Sequence, residues 1–301
     1  MKLTAILFTV VISSGAIAQS GTCRPGALPA ITYSREAVFP KDLSLNRPED
    51  GKALPDGRII VADQQTGLRL LNAEGSSRPF GNLAKAGFTN SAQVVAAPNG
   101  VFLENDGRHL LVSDIYRGVI YRVDSKSETA EKIYEHASGV NTAIRDRRGN
   151  IWFSQSAENP KPNGHETLYA AIDRAMPTGK LFFLPMNGDK AADKAVEAAA
   201  GLYFANGIAL SPDQNTLYAA ETMANRVLSF KVDLDTGKLS GRNVAAQVMT
   251  PDNLDVDQAG NIWVVSPITN SVFAVESTCG AVQRVFHAPS ETNSLTSQKW
   301  A

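Results

Sequence analysis

The sequence predicts an all-β chain folded as a six-bladed β-propeller, and three observations carry that expectation. Five segments resemble one another, each with a polar opening, an alternating strand, a tight turn and a second apolar strand. Their polar markers fall at Asp50, Asn99, Asn141, Asn206 and Asp252, giving spacings of 49, 42, 65 and 46 residues. A period in the forties with short strands is the signature of four-stranded blades. The composition agrees: 301 residues, 43% hydrophobic and 20% charged, supply a large core and do not resemble a disordered chain.

The elements follow in chain order. Lys2, an apolar run over residues 3–12 and Ala16-Ile17-Ala18 form an export signal. The run is too short for a membrane span, and cleavage is expected after Ala18. Residues 1–18 are therefore read as a signal peptide and residues 19–301 as one propeller domain, exported to the periplasm or secreted. The five repeats open at Pro48, Ala97, Gly139, Phe204 and Thr250. Their hairpins turn at Pro55-Asp56-Gly57, Asn105-Asp106-Gly107, Arg147-Arg148-Gly149, Pro212-Asp213-Gln214 and Gln258-Ala259-Gly260, types of sequence that tolerate the positive φ of tight turns. Third strands are expected over residues 67–71, 119–123, 226–232 and 271–275. The wide spacing after Asn141 marks an insertion, and residues 159–165 read as a loop. Residues 191–200 favour helix by propensity, yet by repeat phase they form an outer strand, which is the reading adopted. A sixth blade, open to being incomplete, is assembled from residues 30–38 and 282–287, closing the ring with strands from both termini.

Charge and cysteines narrow the function. Lys plus Arg number 29 and Asp plus Glu 30. With no basic run, nucleic acid is excluded as a partner, and no membrane partner is expected after signal cleavage. Cys23 and Cys279 lie near opposite ends of the mature chain, and an oxidising compartment permits a disulfide between them. The chain-entropy model gives such a closure roughly 4 kcal/mol or more; two free thiols remain the alternative.

In a propeller the first strand of each blade lines the channel, so the polar openings converge at one mouth. They bring Glu49, Asp50, Asn99, Asn141, Asn206, Asp252 and Asn253. Carboxylate and amide oxygens are hard donors that suit Ca2+. The plain alternative for each is a turn or cap role; recurrence at equivalent phases favours a metal.

At these residues the chain resembles the calcium-dependent six-bladed propellers that include paraoxonases, senescence-marker-protein gluconolactonases and strictosidine-synthase-like proteins. The resemblance spans residues 48–285 and is strongest over residues 204–213 and 251–257. It implies metal ligation by Glu49, Asp50, Asn141, Asn206, Asp252 and Asn253. Glu49, Asn206 and Asp252 match the ligands of both the paraoxonase and gluconolactonase branches. The paraoxonase histidine pair falls at Asn99 and near Asp114 and Ile115, none of them histidine. One divalent cation is implied, Ca2+ before Zn2+ or Mn2+, with a second, structural Ca2+ left open.

The expected function is a metal-dependent hydrolase of lactones or related esters, with the cation polarising the carbonyl and Asp252 as the base. Asn99 and Asn141 would position water or substrate. Asp114, Gln155 and Glu221 end second strands and should reach the same mouth, as substrate contacts or as strand-terminal caps. His165 lies in the insertion, either a lid residue in contact with substrate or an exposed histidine. Specificity is expected from residues 84–96 and 157–167. No Gly-x-Ser-x-Gly elbow, His-Glu-x-x-His pair, Cys-x-x-Cys or phosphate-binding loop is present. The alternatives are a non-catalytic binding propeller and a strictosidine-synthase-like lyase or condensing enzyme.

Overall fold

The computed structural model describes residues 28, 30–34, 36, 40–41, 44–72, 74–91, 96–161 and 164–289. The expected leader, residues 1–18, and Cys23 lie outside them. The repeats fold into five antiparallel four-stranded sheets. The first holds β1 (Pro48–Ala53), β2 (Ile59–Asp63), β3 (Gly67–Leu71) and β4 (Ser77–Pro79). The second holds β5 (Pro98–Leu103), β6 (His109–Asp114), β7 (Val119–Asp124) and β8 (Thr129–Glu135). The third begins with β9 (Ala143–Arg145) and β10 (Ile151–Gln155). It is interrupted by α1 (Gly164–Asp173), resumes with β11 (Gly179–Leu184) and passes through the short ribbon β12 (Met186–Asn187) and β13 (Lys190–Ala191). It ends in β14 (Val196–Leu202), the outer strand that the repeat phase predicts. The fourth holds β15 (Ala205–Leu210), β16 (Thr216–Glu221), β17 (Arg226–Asp233) and β18 (Lys238–Gln247). The fifth holds β19 (Leu254–Val256), β20 (Ile262–Ser266), β21 (Ser271–Val275) and β22 (Val282–His287).

Strand alternation explains the packing. Successive side chains point to opposite faces, so Leu110 and Val112 of β6 pack against the first sheet while Leu111 packs against the third. In β10, Trp152 faces the fourth sheet, and Ile151 and Phe153 face the second. A further cluster joins the fourth and fifth sheets through Val227, Val248, Ile262 and Val264. Each apolar cluster is thus the seam between consecutive blades. The hairpin turns are pinned by recurring aspartates: Asp146 accepts from the Trp152 indole at 3.0 Å, and Asp257 accepts from Trp263 at 2.9 Å.

The sixth blade is corrected. Residues 282–287 are the outer strand of the fifth sheet, paired with β21, and Ile31 touches them by a single parallel bridge to Phe286. No sixth four-stranded sheet exists among the described residues. The cause is the polarity of fourth strands: β4, β8 and β18 are mostly exposed, so they lack the apolar alternation by which strands are recognised. With fourth strands hard to recognise, residues 282–287 read from sequence as one of two terminal strands of a sixth, closing blade, whereas they are the fourth strand of the fifth.

The inner strands approach closely enough to bond backbone to backbone. Gly100 donates its N–H to the Asn141 carbonyl at 3.0 Å, and Gly207 donates to the Asp252 carbonyl at 3.1 Å. A Cβ on Gly207 would lie 2.6 Å from the Leu254 nitrogen and 2.9 Å from the Asp252 oxygen. Both neighbours are backbone and cannot swing away. Gly207→Ala should therefore destabilise the fold by about 1–3 kcal/mol, the usual cost of overpacking, and also disturb the channel mouth. A melting temperature equal to that of the unsubstituted protein would contradict this account.

Candidate functional site

The channel mouth is shaped by three equivalent irregularities. The β1–β2 register breaks between Pro48 and Asp50, the β5–β6 register between Pro98 and Val101, and the β15–β16 register between Ala205 and Ile208. The residues inside these breaks are Glu49, Asn99 and Asn206. A bulge re-aims the side chain it carries, and here all three line one cavity of about 390 Å3, together with Asn141 and Asp252.

Hydrogen bonds hold the floor of this cavity. Gln64 donates to Asn99 Oδ1 at 2.6 Å, and Asn99 Nδ2 donates to the Asn141 carbonyl at 3.2 Å. Asn141 Nδ2 donates to Ser156 Oγ at 3.0 Å. Asn206 Nδ2 donates to Thr222 Oγ1 at 3.2 Å, and that hydroxyl donates to the Pro251 carbonyl at 2.7 Å. Each amide nitrogen is thereby spent on the scaffold. Asn206 Oδ1 and Asp252 Oδ1 are left buried with no hydrogen-bond partner. Gln64 Oε1 is a third such acceptor at the cavity. A buried acceptor without a donor costs about 1–3 kcal/mol, and three at one cavity are the arrangement expected of atoms that complete their bonding with a bound group.

The electrostatics point the same way. Burial, reinforced by Asp252, raises the Glu49 pKa well above the ordinary carboxylate range, against the pull of Arg47. Burial likewise raises Asp252, with the neighbouring Asn206 side chain acting in the opposite direction and Asp50 adding to the rise. Two acids that resist ionising together, beside three amide groups, form a cluster of hard oxygen donors. Such a site fits a divalent cation of the Ca2+ type. Glu49, Asn206 and Asp252 would hold it, with Asn141 alongside.

Other expected site residues are placed elsewhere. Asp50 and Asn253 line a second cavity, of about 420 Å3, at the opposite end of the inner strands, with Asn105 and Pro212 of the hairpin turns. Asp50 accepts from the Val101 N–H at 2.7 Å, and burial pushes its carboxyl up to about 6. Asn253 Oδ1 faces the Thr142 hydroxyl. Neither residue joins the partner beside it in the sequence: Glu49 and Asp252 line the other cavity. Asp114 and Glu221 are strand-terminal acceptors. Asp114 Oδ1 takes the N–H groups of Ala97, Tyr116 and Arg117 at 2.9–3.2 Å, and Glu221 binds the Tyr203 N–H at 2.8 Å and Arg226 at 2.5 Å. Neither lines the cavity. Gln155 Oε1 pairs with His136 at 3.0 Å. The described Glu104, Asp106 and His109 also cluster, but Glu104 is ion-paired with Arg122 and Arg145, and Asp106 with His109.

The described residues 159–161 are loop, as expected, and the insertion then continues as the helix α1 from Gly164, which takes in the last two residues of the expected loop. Leu168, Tyr169, Ile172 and Asp173 of α1 line the cavity, and none of the described residues of 157–167 does. His165 is exposed, stacked against Tyr116 at 5.1 Å and Tyr169 at 4.7 Å between ring centres. None of the described residues of 84–96 lines the cavity. Sequence reasoning also missed Arg47, which donates to the Tyr169 hydroxyl at 2.9 Å, and Gln64, Phe204 and Ile268. Phe204 directly precedes the Ala205–Asn206 opening, and its φ of +61° is a backbone state that bulky residues rarely adopt. Its position beside the marker was the available signal.

Comparison with known proteins agrees with this architecture. Residues 131–297 match the SMP-30/Gluconolactonase/LRE-like region. The chain is similar to the Arabidopsis thaliana protein strictosidine synthase-like 6, at 26% identity over 52% of this chain and 41% of that one. It is similar to the Haloferax volcanii pentonolactonase XacC at 27% identity, over 54% and 50% of the two chains. The chain spans about half the length of these curated relatives. Among solved structures, a gluconolactonase from Xanthomonas campestris superposes with a TM-score of 0.58 at 20% identity, covering 81% of this chain and 76% of that one. A calcium-binding regucalcin from Agrobacterium tumefaciens superposes at 0.59 and 16% identity, covering 87% and 80%. At such identities the superpositions establish a shared propeller fold. Since the matched region takes in more than half of the chain, the protein belongs to the SMP-30/gluconolactonase/LRE-like family.

Proposed function

We propose that the protein is an exported, divalent-metal-dependent hydrolase of lactones or related esters. The observation that carries this reading is the convergence of Glu49, Asn206 and Asp252 from three inner strands, with Asn206 Oδ1 and Asp252 Oδ1 buried and unpartnered. The relatives named for gluconolactone and pentonolactone chemistry support it. When bound, Ca2+ would supply Lewis-acid polarisation of the carbonyl. Asp252 takes the proton of the attacking water as its oxygen bonds to the carbonyl carbon. The ring C–O bond then breaks, and the proton passes to the leaving alkoxide. Asn99, oriented by Gln64, and Asn141 position the substrate carbonyl and water. Tyr169 and Leu168 of α1 cover the cavity and reduce its access to solvent. Closure of the ring by the terminal segments, and a disulfide between Cys23 and Cys279, complete the proposal for the mature domain.

The central test is calorimetric titration with Ca2+ alongside lactone hydrolysis. Asp252→Asn should abolish turnover, by roughly 100-fold or more for loss of a proton acceptor, and Glu49→Gln should weaken Ca2+ binding by at least tenfold while the protein remains folded. EDTA should remove activity and Ca2+ restore it. Tight Ca2+ binding with no turnover on any lactone or ester would instead identify a binding propeller.

The raised carboxylates fix a pH dependence. In the metal-free protein, Glu49 and Asp252 keep protons that the unfolded chain releases near pH 4. The folded state then binds more protons, so stability falls as pH rises from about 4 into the neutral range. The melting temperature in EDTA should drop across this window, and the Ca2+-induced rise should grow with pH. Glu49→Gln should flatten both trends; equal slopes in the two proteins would defeat the assignment. Separately, mass spectrometry of non-reduced exported protein should find both cysteines blocked to alkylation; two alkylated thiols would remove the disulfide from the proposal.

A further inference from the structure

The cavity has two chemical zones. Its floor is the ring of Glu49, Asn99, Asn141, Asn206 and Asp252, all at the openings of inner strands. Its walls come from elements beyond the strand ends: Ile115 from the β6–β7 turn, Leu168 and Ile172 from α1, Phe204 and Met223 from the fourth blade, and Ile268 from the β20–β21 turn.

These walls are held in place. Leu168 packs with Ile115, Tyr116 and Phe204 in one buried cluster, against which Ile172 and Met223 also rest. Ile268, 68% exposed, stands at the rim and continues the apolar lining outward. Several polar groups of this zone are already engaged with protein, although Gln64 Oε1 at the floor has no hydrogen-bond partner. Arg47 donates to the Tyr169 hydroxyl, the Thr222 hydroxyl donates to the Pro251 carbonyl, and Thr250 pairs with Ser266. Asp173 stands exposed at the helix end. A polyhydroxylated lactone would have to strip water from several hydroxyls against these walls and find few donors or acceptors in return.

We infer that the site is built for an amphiphilic lactone or ester, with its carbonyl at the polar floor and an alkyl or aryl arm along the Leu168, Ile172, Phe204, Met223 and Ile268 wall, in preference to a sugar lactone. The cavity volume of about 390 Å3 lies in the range of small-molecule sites. This inference rests on the hydrolase reading above and adds the substrate class.

The experiment measures kcat/KM of the Ca2+-loaded protein on δ-lactones whose alkyl arm lengthens from one to seven carbons, and on glucono-δ-lactone. It is paired with calorimetric binding of the matching non-hydrolysable lactams. The expected result is a rise of about fourfold in kcat/KM for each methylene that the wall covers, the fold-change corresponding to about 0.8 kcal/mol per buried CH2. Glucono-δ-lactone should trail the long-arm substrates by at least tenfold. Ile268→Glu and Met223→Gln should flatten the dependence on arm length. A preference for glucono-δ-lactone, or no dependence on arm length, overturns the substrate class and leaves the hydrolase reading standing. If no substrate turns over, the hydrolase reading falls, and the lactams decide the cavity: tighter binding of long-arm lactams supports the apolar assignment, and equal or absent binding overturns it.

Discussion

The arrangement depends on backbone contact between neighbouring inner strands. Gly207 N–H bonds the Asp252 carbonyl, and Gly100 N–H bonds the Asn141 carbonyl. The Asn206 carbonyl, in turn, accepts from the Ser154 hydroxyl at 2.6 Å. A residue that offers its side chain to the cavity thus uses its own carbonyl to tie two blades together. Ligand spacing is then fixed by blade packing, and the apolar seams, with Trp152 and Phe153 fully buried, act on the site through these few bonds. Only glycine permits this proximity, which gives the Asn-Gly pairs at 99–100 and 206–207 two functions: the first residue supplies an oxygen and the second supplies room.

The phase of the repeats was legible because inner and second strands are apolar and periodic. That phase is why Glu49, Asn99, Asn141, Asn206 and Asp252 could be named together before any coordinates. What escaped has specific causes. Asp50 and Asn253 were grouped with Glu49 and Asp252, although adjacent side chains at these openings serve opposite cavities. Asp114 and Glu221 do reach the ends of second strands, yet N–H groups of the following turns and incoming linkers claim Asp114 Oδ1 and Glu221 Oε1, and neither residue lines the cavity. The outer strands β4, β8 and β18, wet on most of their surface, carry no apolar alternation to read. The third strand of the third blade, β11, was missed because the insertion separates it from its hairpin partner, although Leu181-Phe182-Phe183-Leu184 is a strong apolar run.

Charge is distributed unevenly along the channel. At the mouth, two carboxyl groups are disfavoured as ions and Arg47 is the cation among the described lining residues. At the far end, Asp50 and Asp255 face Lys52, which is ion-paired with Asp255. Arg145 lines the same far cavity, so two cations stand there against two carboxylates, whereas the mouth sets Arg47 against Glu49, Asp173 and Asp252 and leaves acceptor atoms unmatched. That contrast separates a cavity that supports the fold from one arranged to receive something.

The helix α1 enters and leaves the third blade at adjacent points, since Gln155 at the end of β10 pairs with Lys180 at the start of β11. The whole excursion between them begins and ends on one rung of a ladder that exists without it. A short hairpin could span the same two residues, and the β10–β11 pairing and the seams beneath would remain. The part of the chain that contributes Leu168, Tyr169 and Ile172 to the cavity wall is thus a removable module. Selection can lengthen, shorten or exchange it to alter what the mouth admits, while the oxygen ring beneath keeps its spacing.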